Sequence, residues 1–514
     1  MTSFFTGKVS FVLKLVVVLL LSALLVTLAQ SAFAQKEYFI AGFIAITILL
    51  LLLTYLTKIS IPLKFFLPGV LLLVAFVLSP ILYTVTMSTF NYKTGNVGSK
   101  GQAIEEIQNR GFESDANGTS FDIKIGRYQG QEALLVSDSL NSSYFISTES
   151  DRIPLIPADL TINEDGVAQS APDFETLSDS DMAKADELYS LKRFKYQDEY
   201  FIALEGFEVG IVSRQVLAFN EVKDQFENII SGEIYTNNGR GNFAIAGSPD
   251  DYLEPGWRAP IWFENYTKLF TEERLRGPLI SVFIWTITFA TLSVLTTFAL
   301  GLLLALALNK PIRGRRVYRS VLILPYAMPS IMSILIWGGM FNSTEFGAIN
   351  NLLGTEIAWF QSALFAKFAI ILVNLWLGFP YFYLISSGAL QAIPSELLEA
   401  ASIDGANPRQ IFRQITLPLL LQILSPLLIA SFAFNFNNFN LIYLLTGGGP
   451  RAELDGELAG ATDILISFTY KIAFGNANVQ DLGLASAISL VIFVLVASIS
   501  MYGLRKSKVL ESFQ

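Results

Sequence analysis

Long apolar runs alternate with polar stretches along this chain, and the length of the runs predicts how they fold. A helix needs about 20 apolar residues to cross the hydrocarbon core of a bilayer. Runs of that length occur at residues 11–34, 38–57, 65–89, 279–308, 318–341, 364–390, 419–445 and 484–504. The pattern therefore predicts a mainly α, polytopic membrane protein with eight transmembrane helices.

The first apolar run has a second interpretation. The stretch "KLVVVLLLSALLVTLAQSAFAQ" has a basic start, an apolar centre and an A-x-A ending at Ala34, which is the outline of a signal peptide. A second apolar run begins at Tyr38 and leaves no room for a mature soluble domain between the two. An N-terminal transmembrane hairpin over residues 1–64 explains both runs more simply than cleavage does.

The third predicted helix, within residues 65–90, is followed by the one segment that could fold in water, residues 91–276. Stretches such as "FDIKIGRYQGQEALLVS" and "YFIALEGFEVGIVSRQVLAF" alternate and are rich in β-branched and aromatic residues, which predicts strands. The end of the segment, "PGWRAPIWFENYTKLFTEERLRGP", has the clustered aromatic residues of a membrane interface. We expect a β-rich domain with an interfacial return segment, rather than a filler loop without a partner, and then a core of five helices over 277–514.

Charge is distributed unevenly between these parts. Residues 91–276 contain 32 acids and 17 bases, a net charge of −15, whereas the rest of the chain is net +6. Basic residues near the predicted helices fall on alternate connections: Lys8, Lys14, Lys58, Lys64, Lys310, Arg313, Arg315, Arg316, Arg319, Arg409, Arg413, Arg505, Lys506 and Lys508. The positive-inside rule makes those connections and both termini cytoplasmic, and residues 91–276 external.

The residue types that are absent exclude several classes of chemistry. The chain has no cysteine and no histidine, which excludes disulfides, thiolate nucleophiles, zinc clusters and histidine acid/base catalysis. The nearest match to a phosphate-binding loop, "GNVGSK" at 95–100, has the wrong spacing. We therefore expect no catalytic residue, no metal site, no cofactor and no nucleic-acid partner. If a nucleotide drives this protein, another chain binds it.

The connection at 391–418 contains the stretch "EAASIDGANPRQIFRQITLP" and is predicted to lie in the cytoplasm. We expect a short helix ending near Asp404, a turn at Gly405 and a second helix from about Pro408 to Leu417. The small side chains of Ala400 and Ala401 would let another surface approach closely. The segment therefore resembles a rigid projection more than an ordinary solvated connection.

Polar and aromatic side chains inside the sixth and seventh predicted helices recur at helical spacing, which places each set on one face. The sixth helix contributes Asn374, Leu377, Gly378 and Tyr381, and the seventh contributes Ser431, Phe434, Asn435, Asn438 and Ile442. Asn437 points elsewhere, and Phe432, Phe436 and Phe439 are predicted to pack. Uncharged amides, hydroxyls and rings suit a neutral polyol. The alternative is that the asparagines join the helices, at about 1 kcal/mol each.

Glu399, Ala400, Ala401, Gly405, Ile415, Leu417 and Pro418 fit the EAA-x3-G-x9-I-x-LP loop of bacterial ABC importer permeases. The resemblance implies that this loop docks into a separate ATPase, with Glu399, Ala400, Ala401, Asp404 and Gly405 at the interface. The stretches "LILPYAMPSIMSILIW", "NLWLGFPY" and "IASFAFNFNNFNLIYLLTGGGP" resemble the larger permease subunit of maltose/maltodextrin importers. The resemblance is strong over residues 260–505 and weak over the first two helices and the external domain.

That family implies a site and a set of partners. Its maltose-contacting positions map onto Asn374, Leu377, Gly378, Tyr381, Ser431, Phe434, Asn435 and Asn438. The implied partners are a MalG-like second permease subunit, a MalK-like ATPase dimer, a periplasmic maltose-binding protein held by an Ig-like external domain, maltose or maltodextrin, and the lipid bilayer of the bacterial inner membrane. The alternatives are a permease for another oligosaccharide and a stand-alone secondary carrier. A carrier would more often have an intramembrane carboxylate or histidine.

Overall fold

The structure is a computed structural model of the chain, and it divides into two compact units, Met1–Thr86 and Met87–Gln514. It describes residues 8–34, 38–56, 61–115, 118–177, 189, 192–309, 312–343, 347–450, 459–475 and 480–506. Three of the basic residues used to predict the topology, Lys58, Lys310 and Lys508, lie outside the described residues.

The first unit is built from apolar helices. They are α1 (Lys8–Ala34), α2 (Tyr38–Leu56), α3 (Ile61–Leu73) and α4 (Ser79–Met87), with a π-helical turn at Val74–Leu78 between the last two. The helices α1 and α2 pack against each other. Most of their large aliphatic side chains remain exposed, as expected for surfaces that meet lipid rather than water.

The segment after the third predicted helix is rich in strands, which confirms the β-rich prediction. The strands are β1 (Phe90–Asn91), β2 (Phe112–Ser114), β3 (Ser120–Tyr128), β4 (Gln131–Asp138), β5 (Ser143–Ser147), β6 (Arg152–Leu155), β7 (Thr161–Ile162), β8 (Ala168–Ser170), β9 (Phe174–Thr176), β10 (Phe194–Lys195), β11 (Tyr200–Glu205), β12 (Val209–Gln215), β13 (Leu217–Asn220), β14 (Gln225–Asn228), β15 (Ile234–Asn237), β16 (Phe243–Ile245), β17 (Ser248–Tyr252) and β18 (Ala259–Pro260). Helix α5 (Lys100–Arg110) lies among them.

Two antiparallel sheets dominate this domain. The larger has the order β10-β11-β12-β3-β4-β5-β6, with β2 also on β12 and β9 also on β3, and the smaller has the order β13-β14-β15-β16-β17. Strand β4 is apolar throughout its centre because both faces are covered: Leu134 packs into one cluster and Leu135 into another. The Ig-like arrangement of these sheets stays a prediction.

The remaining helices form the membrane core and its connections. They are α6 (Glu264–Thr271), α7 (Glu273–Asn309), α8 (Arg315–Ala327), α9 (Ser330–Met340), α10 (Ala348–Leu353), α11 (Ala363–Gln391), α12 (Ser395–Ile403), α13 (Pro408–Ile411), α14 (Leu417–Phe436), α15 (Phe439–Thr446), α16 (Leu465–Phe474) and α17 (Leu482–Lys506). Within the described residues, six helical segments are long and apolar enough to cross a membrane, or seven if a bent pair counts as one span. The protein is thus multi-pass, but the predicted count of eight is not confirmed.

Two of the predicted helices are broken, and their prolines and asparagines explain why. The fifth bends by 93° between α8 and α9. Met328 at this break is extended, because the residue before a proline avoids helical geometry, and Pro329 is also outside the helical region. The seventh ends at Phe436, earlier than the predicted residue 445, because Asn437 and Asn438 leave helical geometry and Asn438 caps α15.

The loop at 391–418 forms the predicted pair of helices, with one difference. Helix α12 ends at Ile403, and Gly405 has φ +83°, a conformation that other residues resist. Asn407 then caps α13 in a capping box with Gln410. The second helix does not end near Leu417, however, because it continues into α14 through a π-helical turn at Phe412–Thr416.

The π turn explains how the helix passes Pro418. A proline in a helix lacks an N–H and clashes with the carbonyl four residues earlier. In the wider turn the N–H of Leu417 bonds to the carbonyl of Phe412, five residues back. The same arrangement precedes Pro80, where the N–H of Ser79 bonds to the carbonyl of Val74.

Candidate functional site

A cavity of about 620 Å³ lies in the membrane core between α7, the α8–α9 break, α11, α14 and α15. None of the described residues that line it carries a charge. Eight of the nine residues on the two predicted helical faces line this cavity: Asn374, Leu377, Gly378, Tyr381, Ser431, Phe434, Asn435 and Asn438. The structure thus brings the predicted residues together around a volume typical of small-molecule sites.

Three asparagines form a hydrogen-bonded chain along one wall. Asn374 Nδ2 donates to Asn435 Oδ1 at 2.9 Å, and Asn438 Nδ2 donates to Asn374 Oδ1 at 3.3 Å. Asn435 Nδ2 donates in turn to the backbone oxygen of Ser431 at 2.8 Å. Asn374 and Asn435 are both buried, so part of their role is to join α11 to α14. The two interpretations drawn from the sequence, a sugar site and a helix-joining network, therefore involve the same side chains.

The aromatic members of the set are more accessible. Phe434 is 69% exposed, so one face of its ring is free to stack on a ligand. The hydroxyl of Tyr381 makes no hydrogen bond within the described part of the chain, which leaves a donor and an acceptor at the cavity wall. Leu377 completes the apolar part of this wall.

Gly378 has a structural reason to be glycine. A Cβ at this position would lie 2.8 Å from Thr297 Cγ2 on α7. Gly301 on α7 is equally close to α11, because a Cβ there would lie 2.7 Å from the backbone nitrogen of Tyr383. The two glycines let α7 and α11 approach closely, and Gly378 also lines the cavity as a consequence of that contact.

The seventh predicted helix differs from the prediction in its continuity. The sequence predicted a continuous helix to residue 445, whereas the helix breaks before Asn438. Asn438 still reaches the cavity because it caps α15, and its Oδ1 accepts from the N–H of Leu441 at 3.4 Å. Ile442, the last member of the predicted face, is buried in apolar packing instead.

The residues predicted to point elsewhere do so. Asn437 is exposed, does not line the cavity and donates to the backbone oxygen of Ala433 at 3.2 Å. Phe436 is fully buried, Phe432 lies against it at 6.0 Å between ring centroids, and Phe439 stacks on Tyr443 at 4.9 Å.

Sequence reasoning missed the cavity residues contributed by other elements. Polar ones among them are Thr297 on α7, Tyr326 and Ser330 beside the α8–α9 break, and Asn440 on α15. The prolines at 325 and 329 were a usable signal, because broken helices in membrane proteins expose backbone and side chains where they line a cavity.

The five residues predicted to couple to an ATPase lie on the 391–418 loop. Glu399, Ala400, Asp404 and Gly405 are exposed, and Ala401 is half-buried. Ile403 beside them is 87% exposed, which is unusual for an isoleucine at the end of an ordered helix. The loop thus presents small, acidic and apolar groups around a fixed turn.

A buried ion pair holds the glycine-rich stretch that follows α15. Asp463 is buried and Lys471 lies within 2.5 Å of it. The carboxylate also accepts from the N–H of Gly460 at 2.7 Å and from Ser467 Oγ at 2.8 Å. A Cβ on Gly448 would lie 1.9 Å from Asp463 Oδ1, so only glycine fits beside this carboxylate.

A second charged cluster lies at the surface of the β-rich domain. Lys192 Nζ lies 2.5 Å from Glu149 Oε1 and 3.3 Å from Glu132 Oε2. Its hydrogen bond to Glu149, and then the one to Glu132, raises the pKa of Lys192. A hydrogen bond to its own backbone N–H, and then the contact with Lys192, lowers the pKa of Glu132.

Comparison with known proteins gives matches over nearly the whole chain. Residues 297–507 match the binding-protein-dependent transport system inner membrane component family, and residues 71–147 match the N-terminal region of transmembrane subunits in such ABC transporters. A solved bacterial ABC transporter involved in alginate import is 22% identical over 48% of this chain and 84% of its own, with a TM-score of 0.42, which is too low to bear on function.

Two curated relatives show to which family the chain belongs. The maltose/maltodextrin transport system permease protein MalF of Vibrio parahaemolyticus is 36% identical, over 94% of this chain and 93% of its own. The protein of the same name from Escherichia coli is 34% identical, over 96% of each chain. The chain therefore belongs to the MalF family of ABC transporter permeases.

Proposed function

We propose that this chain is the non-catalytic permease subunit of an ATP-driven importer of maltose and maltodextrins. The observation that carries the proposal is a cavity whose described lining is uncharged and consists of amides, hydroxyls, aromatic rings and apolar groups, in a chain similar to MalF over 94% of its length. Hydroxyls of a neutral sugar both donate to and accept from amides, and aromatic rings cover its apolar faces.

Some of the side chains that line the cavity are held by hydrogen bonds to each other, and others are available to a ligand. Asn374 and Asn435 are held by each other, so they fix the geometry of the wall. Tyr381 and Phe434 offer an uncommitted hydroxyl and an exposed ring to a glucosyl unit. Among the eight proposed site residues, these two would gain the most from contact with sugar.

The loop at 391–418 would couple this site to ATP hydrolysis on a separate, MalK-like ATPase dimer. Glu399 and Asp404 provide charge, Ala400 and Ala401 allow close approach, and Gly405 fixes the turn. Burial of Ile403 in a cleft of the partner would remove its apolar side chain from water. A MalG-like second permease subunit would complete the translocation path.

Both termini would be cytoplasmic and the β-rich domain periplasmic, where it would hold a maltose-binding protein. The basic residues Arg313, before α8, and Arg315, Arg316 and Arg319, in the first turns of α8, support this orientation. The native chain has no cysteine, so a cysteine introduced at Ser402 reports its side of the membrane cleanly. An impermeant reagent should label it only from the cytoplasmic side, and deletion of residues 100–250 should weaken the affinity for the binding protein.

The proposal is tested by reconstituting the chain with its candidate partners in vesicles and measuring uptake of labelled maltose. Uptake should require the ATPase, ATP and the binding protein together. Uptake that survives omission of the ATPase would identify a stand-alone carrier. ATP-dependent uptake of another oligosaccharide, but not of maltose or maltodextrins, would identify an ABC permease for that oligosaccharide.

A further inference from the structure

The first unit, Met1–Thr86, contains a groove of its own. A cavity of about 590 Å³ lies between α1, α2 and α3, and aliphatic side chains form most of its walls. The exceptions are Lys14 from α1, Tyr55 from α2 and Pro68 from α3. A lysine in an otherwise apolar groove within the membrane needs a partner, because an unpaired charge there is costly.

Pro68 determines what the hydroxyl of Tyr55 binds, and this neutral hydroxyl cannot balance the charge of Lys14. A proline lacks the N–H that would bond to the carbonyl four residues earlier, which here belongs to Lys64. The hydroxyl of Tyr55 donates to this freed carbonyl at 2.6 Å. The hydrogen of this hydroxyl therefore joins α2 to α3, and the ring of Tyr55 forms part of the groove wall.

The unit provides no acid for Lys14 either. Within the described residues Lys14 forms no ion pair. The sequence of residues 1–86 contains one acidic residue, Glu37. Glu37 follows the end of α1, and the 20 residues from Lys14 to Ala34 rise by about 30 Å in a helix. A counter-ion for Lys14 must come from outside this unit.

The groove has a polar end and an apolar length. Lys14 lies two residues inside the apolar span Val12–Ala34. From this position its long side chain can place the ammonium group at the level of the lipid headgroups. Val17 and Leu21 follow it along α1, a rise of about 10 Å from Lys14 to Leu21. Leu72 on α3 faces the same groove. A cation at one end and an aliphatic channel behind it match a lipid better than they match a soluble anion.

We propose that this groove binds an anionic phospholipid. The phosphate accepts a hydrogen bond from Lys14 Nζ, and one acyl chain lies along Val17, Leu21 and Leu72. Basic pockets between transmembrane helices are known binding places for anionic headgroups. The lipid would supply both the missing counter-ion and the missing apolar contacts. The proposal does not depend on the transported substrate.

Lipid retention tests the proposal on the purified full-length chain. The detergent-solubilised protein is equilibrated with phosphatidylglycerol or phosphatidylcholine of identical acyl chains, and bound lipid is counted by native mass spectrometry. The wild type should retain phosphatidylglycerol about fivefold better, as expected from about 1 kcal/mol per basic residue near the headgroups. Lys14→Gln should abolish the preference and Lys14→Arg should keep it. Lys64→Gln is the matched control, because it removes a charge from the same unit outside the groove lining.

Leu21→Trp tests the contact with the acyl chain independently of the contact with the headgroup. It fills the apolar length and should lower retention of both lipids while leaving the helical circular dichroism of the protein unchanged. The proposal is overturned if the wild type does not discriminate between the lipids, or if Lys64→Gln removes the preference as fully as Lys14→Gln. It is also overturned if inorganic phosphate displaces phosphatidylglycerol, or if Leu21→Trp leaves retention unaffected.

Discussion

Asn435 and Asn437 form a matched pair for testing the proposed sugar site, because they are two residues apart on the same chain but differ in burial. Asn435→Ala removes the acceptor of Asn374 Nδ2 and the donor to the Ser431 carbonyl. Two neutral hydrogen bonds are worth about 1 kcal/mol each, and a buried donor left unsatisfied adds about 1–3 kcal/mol. The free energy of unfolding should therefore fall by about 3–5 kcal/mol.

Asn437→Ala should be mild. Asn437 is exposed and its side chain makes a single bond, to the backbone of the preceding helix α14, so the loss should lie within about 0.5 kcal/mol. Tyr381→Phe completes the set, because it removes an uncommitted hydroxyl without disturbing a protein hydrogen bond. If that hydroxyl contacts maltose, its loss should weaken the apparent affinity about fivefold, the equivalent of about 1 kcal/mol.

The assay measures maltose uptake and ATPase activity side by side in vesicles, with uptake normalised to the folded fraction from thermal unfolding. Asn435→Ala should lower normalised uptake several-fold and Tyr381→Phe should raise the half-saturating sugar concentration. Both should retain stimulation of the ATPase by the binding protein, because the 391–418 loop is intact. Equal, mild effects at Asn435 and Asn437 would refute the prediction that Asn435 belongs to the sugar site and Asn437 does not. A lower melting temperature for Asn435→Ala with unchanged normalised uptake, together with an unaffected Tyr381→Phe, would show that the asparagines only join helices.

Three further predictions concern other parts of the molecule. Gly405→Pro cannot adopt φ +83° and should weaken ATPase docking and abolish transport while membrane insertion persists, and full-rate transport by this variant would contradict the coupling role. Lys471→Met should lower the free energy of unfolding by about 3–5 kcal/mol, because it leaves Asp463 buried without its counter-ion. The double variant with Asp463→Leu should recover part of that loss. If the losses of unfolding free energy in the two single variants simply add in the double variant, Asp463 and Lys471 do not stabilise the protein as an ion pair. The pKa of Glu132 is lowered because its carboxylate accepts from its own backbone N–H and also from Lys192. The stability that these contacts provide is complete at neutral pH, begins to decline below the ordinary glutamate value of 4.5 and is lost as the pH falls through the lowered pKa. The melting temperatures of wild type and Glu132→Gln should therefore differ at pH 7 and converge in acid, and a difference that grows in acid would be evidence against this contact.

The sequence was most informative where local chemistry decides the structure. The turn at Gly405 and the cap at Asn407 follow from the residues themselves, and the alternation in β3 and β4 follows from sheet pleating. The two polar faces located eight cavity residues because helical spacing holds over a few turns.

The sequence was least informative where distant segments meet. Thr297 and Tyr326 line the cavity only because α7 and the α8–α9 break pack against α11. That packing depends on the close approach at Gly301 and Gly378, which no periodicity along one helix reveals. The break at Asn437 was missed for a related reason. A long apolar run shows that the chain stays in the membrane, but not that its helix is continuous.

The π turn at Phe412–Thr416 affects the angular relation between the 391–418 loop and the cavity. Each residue added to an ordinary α-helix rotates everything beyond it by about 100°. A π turn absorbs one extra residue locally, so the face that carries Ser431 and Asn435 keeps its direction relative to the loop. Loss of one residue within this turn would leave that direction nearly unchanged. Loss of one residue between Leu417 and Ser431 would turn Asn435 away from Asn374, so the length of this stretch is constrained as strongly as its composition.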